Sequence, residues 1–92
     1  MSKVEKTVEI INKYGLHARP AMKFVEMANQ FESNIWVSRN GEVVNGKSVM
    51  ELMILAAACG TKLKIQAEGK DAKEAVESLA SLVNNKFGCH DE

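Results

Sequence analysis

His17 stands in the run Gly15-Leu16-His17-Ala18-Arg19-Pro20-Ala21. Neutral imidazole is a nucleophile near pH 7, and a guanidinium two residues on can grip two oxygens of one phosphate. Proline is tolerated in a first helical turn, whose N–H groups lack intrahelical partners anyway. The pattern therefore predicts a glycine that ends an extended run, His17 as the last non-helical residue, and a helix from Ala18. The N–H groups of Ala18, Arg19 and Ala21 would lie free at the positive end of the helix dipole, a setting suited to a phosphate. A bare histidine at a helix start is more often a tolerated cap than a reactive group. Glycine before it and Arg-Pro after it favour chemistry.

A second cluster is Gly46-Lys47-Ser48-Val49-Met50-Glu51. Serine followed by glutamate three residues on is a capping box, so Ser48 is first of all an N-cap. Its hydroxyl is also a candidate for phosphorylation, although Glu51 would put a carboxylate in the same turn. Residues 49–58 read as a helix that is apolar nearly all round: Val49, Met50, Leu52, Met53, Ile54 and Leu55. One short helix cannot bury every side. Met50 and Met53 are thus either core filler or adaptable partner surface, with spacing alone favouring neither.

The remaining elements must hold these two clusters. Residues 3–11 alternate as a half-buried strand, with Val4, Val8 and Ile10 on one face and Lys6 as the one mismatch. Residues 18–31 carry Ala21, Phe24, Val25, Ala28 and Phe31 at helical spacing. Residues 35–39 and 42–45 are strands joined by Asn40-Gly41, the strongest short hairpin signal. Residues 62–68 alternate cleanly. Asp71, with Glu74 three on, is expected to cap a last helix bearing Ala72, Ala75, Val76, Leu79, Leu82 and Val83. Phe87 closes that stripe and Gly88 stops it. The order β-α-β-β-α-β-α, with strands that keep one wet face, predicts an α+β two-layer open-faced sandwich. Its four-stranded antiparallel sheet would carry three helices on one face.

Ninety-two residues suit one domain, spanning 1–92 with 89–92 as a frayed tail. Twelve basic and twelve acidic residues cancel, which argues against a nucleic-acid binder. The predicted strands also offer only Trp36 for stacking on bases. No stretch reads as a signal peptide or a membrane span; the longest apolar run, 52–59, has the length of a buried helix. Cys59 and Cys89 form no CxxC and are expected to be reduced thiols of a cytoplasmic protein. Cys89-His90-Asp91 is tail rather than a closed ligand set, so no metal or other cofactor is expected. Lys13, Lys23 and Lys47 are solvated surface or steering charges for acidic partners.

The motif around His17 resembles the active-site signature of the HPr family, the histidine phosphocarriers of the bacterial sugar phosphotransferase system. Asn45-Gly46-Lys47-Ser48-Val49-Met50 is similar to that family's second signature, and the element order also fits. The resemblance implies that His17 accepts a phosphoryl group on Nδ1 from phosphorylated Enzyme I and passes it to an EIIA protein, with Arg19 steadying the phosphoryl oxygens. It implies a stoichiometric relay rather than a turnover enzyme. Val49, Met50 and Met53 would form the docking patch, and Ser48 would be the target of an HPr kinase. A monomer suffices for this. Two departures stand out: Glu51 replaces a glycine of many sugar-system members, and Ile54-Leu55-Ala56-Ala57 replaces their Ser-Leu-Gly. The departures resemble members with reduced systems, including the nitrogen-related branch. The alternative is a regulatory module that acts by phosphorylation-dependent protein binding.

Overall fold

A computed structural model describes residues 3–55 and 57–88. Among them the chain forms β1 (Lys3–Glu9), α1 (Ala18–Ala28), β2 (Asn34–Arg39), β3 (Glu42–Asn45), α2 (Val49–Ile54), β4 (Lys62–Glu68) and α3 (Ala72–Asn84), then a 3₁₀ turn at Lys86–Gly88. The strands form one antiparallel sheet in the order β1-β4-β2-β3. This is the expected α+β open-faced sandwich.

Register explains why the sheet has one dry face. Val8 pairs with Leu63, Ile35 with Ala67, and Val37 with both Ile65 and Val44. Paired residues point to the same side, and all of these are buried. The helices cover that side: α3 lies on β1 and β4, α1 packs on α3 and α2, and α2 reaches β3. Lys6 falls opposite Ile65 on this dry face yet is exposed, because β1 is an edge strand. The other face is polar. There Lys64 pairs with Glu5 at 3.4 Å, and the Lys3 ammonium lies 5.7 Å above the Trp36 ring.

The hairpin turns on Asn40 (φ 50°) and Gly41 (φ 86°), the pair of positive φ angles that a type I′ turn requires. At the C-terminal end, Lys86 and Phe87 adopt positive φ angles of 53° and 56°. A left-handed residue costs about 1–2 kcal/mol, and burying a phenylalanine contributes about 1.5–3 kcal/mol. Phe87 is fully buried, which offsets much of the cost of the two residues. Phe87 thus joins the core as expected, but beyond the helix rather than on it.

Four local expectations are corrected. The helix expected over 18–31 ends at Ala28. Gln30 and Phe31 donate to Met27 and Ala28 in tighter turns, and the Lys47 ammonium donates to the Phe31 carbonyl at 2.7 Å. Lys47 therefore ties down the turn that follows α1 rather than standing in solvent. The strand expected over 3–11 ends at Glu9, although Ile10 still exchanges hydrogen bonds with Gly60 and Thr61. The helix expected over 49–58 stops at Ile54, because the chain must turn both Leu55 and Ala57 into the core; Ala56 lies outside the described residues. Asp71 holds the N-cap position of α3 without capping it. Its carboxylate instead accepts from the backbone N–H groups of Glu32 and Ser33 (2.9 and 3.0 Å) and from the Ser33 hydroxyl. The expected tail, with Cys89 and His90, also lies outside the described residues.

Candidate functional site

The loop before α1 is built to present His17. Asn12 is fully buried; its Nδ2 donates to the Gly15 carbonyl at 2.7 Å, and the Gly15 N–H donates back to the Asn12 carbonyl at 3.2 Å. Gly15 has φ +71°, and a Cβ there would fall 2.3 Å from the Ala57 carbonyl oxygen. Glycine is therefore required on two counts, conformation and space. The next residue, Leu16, is buried and donates its N–H to the same Ala57 carbonyl at 2.8 Å. The exit from α2 thus fixes the entry to α1.

His17 follows as the N-cap of α1, extended at φ −91° and ψ −168°. Its side chain makes no cap bond to its own helix, and the ring is half-buried. The imidazole joins Tyr14, Leu16, Met53, Ala57 and Ala58 in lining an open pocket. The Tyr14 ring stands nearly perpendicular to it, at 79°, with centroids 6.2 Å apart. Beyond Tyr14 the Lys13 ammonium sits 5.3 Å over the phenol ring.

One member of the expected anion cradle is removed. Ala21 is buried, and its N–H donates to the His17 carbonyl at 3.0 Å. With His17 as N-cap, Ala21 is the first residue whose carbonyl partner four positions back exists, so its amide closes the first turn. Pro20 has no N–H. The amides of the first turn that have no intrahelical acceptor are those of Ala18 and Arg19, both exposed residues. An anion there gains about 0.3–1 kcal/mol from the dipole, and up to about 2 kcal/mol where partly buried.

Ser48 is the N-cap of α2, half-buried, with its Oγ accepting from the Glu51 N–H at 3.2 Å. The reciprocal half of the capping box is absent. The Ser48 N–H already donates to the Asn45 carbonyl at 3.2 Å, so the Glu51 carboxylate accepts from the Asn45 N–H at 3.0 Å instead.

The expected docking residues separate. Met50 is 77% exposed and Met53 43%, whereas Val49 is half-buried and packs against the core. Ile54 (65%) and Met22 (54%) are exposed apolar residues absent from the expected patch. Met22 carried a signal in the sequence: it interrupts the otherwise polar side of the helix. Tyr14, 62% exposed beside His17, carried none, since a tyrosine in a short loop has no periodicity to violate.

A sheet covered by helices on one face, with a histidine at the start of the first helix, defines a class of small α+β proteins. Residues 4–85 match the family described as "PTS HPr component phosphorylation site". The chain belongs to the HPr family of phosphocarriers of the phosphotransferase system. It is 49% identical over 85 residues to phosphocarrier protein HPr of Neisseria meningitidis, covering 92% of this chain and 96% of that protein. Among solved structures it is similar to HPr-C-His of Thermoanaerobacter tengcongensis, with a TM-score of 0.89 and 48% identity over 92% of this chain and 96% of that one. It is also similar to Crh of Bacillus subtilis, a catabolite repression protein reported as a swapped dimer. The TM-score there is 0.74 and the identity 44%, over 90% of this chain and 95% of that one.

Proposed function

We propose that this chain relays a phosphoryl group: His17 accepts it from phosphorylated Enzyme I and gives it to an EIIA protein. The single observation that carries the reading is His17, half-buried, on the N-cap of α1, at the helix start where the exposed residues Ala18 and Arg19 have amides with no intrahelical acceptor. Phosphoryl transfer demands in-line positioning and donors for the equatorial oxygens, and little covalent work from the protein. The lone pair of the His17 nitrogen forms the new N–P bond. The donor's leaving group takes the electron pair of the bond that breaks. Ala18 and Arg19 N–H groups stabilise the arriving anion, and the Arg19 guanidinium can take two of its oxygens at once. The resulting phosphoramidate is labile, so onward transfer stays easy.

Docking uses the exposed side of α2, Met50 and Met53 together with Ile54. Val49 supports them from beneath. The working unit is one chain acting as a single domain, because the pocket around His17 is lined from the α1 loop and from α2 and its exit within the same chain; its place is the cytoplasm. The test is labelling by phosphoenolpyruvate with purified Enzyme I. The parent takes up an acid-labile label, and His17→Ala takes up none while keeping its helical circular dichroism. Normal labelling of the variant ends the reading.

A regulatory reading is favoured by one further observation, the similarity to Crh together with Ser48 at the start of α2. On this reading an HPr kinase phosphorylates Ser48 and the product is read by a partner protein. The two roles are compatible. An absence of Ser48 labelling by a purified HPr kinase removes this one and leaves the relay intact.

A further inference from the structure

Nitrogen lone pairs of an imidazole lie in the plane of the ring, so whatever fixes that plane fixes the line along which the ring attacks phosphorus. The torsion that sets the plane, χ2 of histidine, is broad and soft on its own. Here two sides of the His17 pocket are walled. Met53, Ala57 and Ala58 come from α2 and its exit, and Tyr14 comes from the loop on which His17 itself sits. The Tyr14 ring crosses the imidazole at 79° with centroids 6.2 Å apart, inside the range for perpendicular aromatic pairs. The Lys13 ammonium lies 5.3 Å over the Tyr14 ring, a cation–π contact that gives the exposed phenol a second partner. A loop tyrosine that is 62% exposed has no packing reason to be ordered, and these two contacts supply one.

From this geometry we propose that Tyr14 is a positioning residue for phosphoryl transfer: its ring holds the plane of the His17 imidazole in the attacking orientation. The proposal rests on the phosphoacceptor role of His17. The aromatic ring carries the effect, since a rigid ring set edge-to-face with the imidazole restrains it in a way that a flexible aliphatic chain cannot. The phenol hydroxyl is dispensable. Tyr14 contributes no packing to the core, so replacing it leaves the fold in place.

The test measures single-turnover transfer from phosphorylated Enzyme I to the parent, Tyr14→Ala, Tyr14→Leu and Tyr14→Phe, over a range of Enzyme I concentrations. Tyr14→Ala and Tyr14→Leu should lower the saturating rate about tenfold, with Tyr14→Phe restored to within about twofold of the parent. A loss confined to the half-saturating concentration overturns the proposal, because Tyr14 is then only docking surface. Tyr14→Leu at the parent's saturating rate also overturns it, whether or not Tyr14→Ala folds. A parent that takes no label on His17 defeats the relay itself. A labelled parent with unaffected variants defeats only the role of Tyr14.

Discussion

The Leu16 N–H donates to the Ala57 carbonyl at 2.8 Å, and this one bond joins the loop that carries His17 to the exit from α2. The first signature stretch is thereby tied to the far end of α2, the helix that the second signature begins. Gly15 makes the approach feasible, since any Cβ there meets that same carbonyl oxygen at 2.3 Å.

Gly15→Ala should therefore damage stability and site together. The left-handed backbone and the clash with Ala57 add to an expected loss of about 2–4 kcal/mol. Urea denaturation reads the loss. Labelling at His17 should fall in the variant even at temperatures where it remains folded.

Asp71 provides a prediction about pH. Its hydrogen bond from the Ser33 hydroxyl, then that from the Glu32 N–H, hold its carboxyl below the usual carboxylate range. A group whose folded pKa is depressed contributes stability that is complete above its unfolded pKa and is lost as pH falls through the folded one. Asp71→Asn should thus lower the urea midpoint by a constant amount above about pH 5, the carboxylate being fully ionised there in both states. The gap between parent and variant should narrow as the pH drops below 3.8, the ordinary value for this group. A gap that stays constant down to pH 2 contradicts the assignment.

Much of this arrangement was legible in the sequence, and the limits are physical. Alternation marks residues 62–68 as a strand because β4 keeps one wet face along its length, and Asn40-Gly41 marks the hairpin because few other residues accept its angles. Local pattern also marks His17 at the start of α1. What local pattern cannot carry is competition from distant groups. Asp71 has every feature of an N-cap, yet two amides and a hydroxyl 38–39 residues away outbid its own helix. The early end of α2 also has a non-local origin, since burying both Leu55 and Ala57 in the core requires the chain to leave the helix after Ile54. Ala21 was misassigned for a simpler reason: with His17 counted as the cap, its amide is the first to be satisfied.

The exposed apolar residues of α2 should matter for partners and not for folding. Met50→Ser and Ile54→Ser should each change stability by no more than about 0.5 kcal/mol, and Met53→Ser, at a position only 43% exposed, by somewhat more without unfolding the domain. In the triple variant the Enzyme I concentration for half-maximal labelling should rise about tenfold or more, as truncation of interface anchors does. Unchanged kinetics in the triple variant move the docking surface elsewhere.

Ser48→Ala should separate capping from regulation. Losing the bond from the Glu51 N–H should cost about 1 kcal/mol in urea denaturation. Labelling at His17 should stay within about twofold of the parent, because Ser48 lies outside the pocket that the imidazole lines.

The central claim is that a phosphoryl group on the His17 ring is received by the open amides of α1. Amide chemical shifts recorded before and after phosphorylation by phosphoenolpyruvate and Enzyme I test it most directly. The account predicts a ³¹P signal from phosphohistidine at residue 17 and large downfield shifts of the Ala18 and Arg19 amide protons, with the Ala21 amide, already bonded to the His17 carbonyl, moving least. A phosphoryl group found on another residue, or on His17 with the Ala18 and Arg19 amides unmoved, contradicts it.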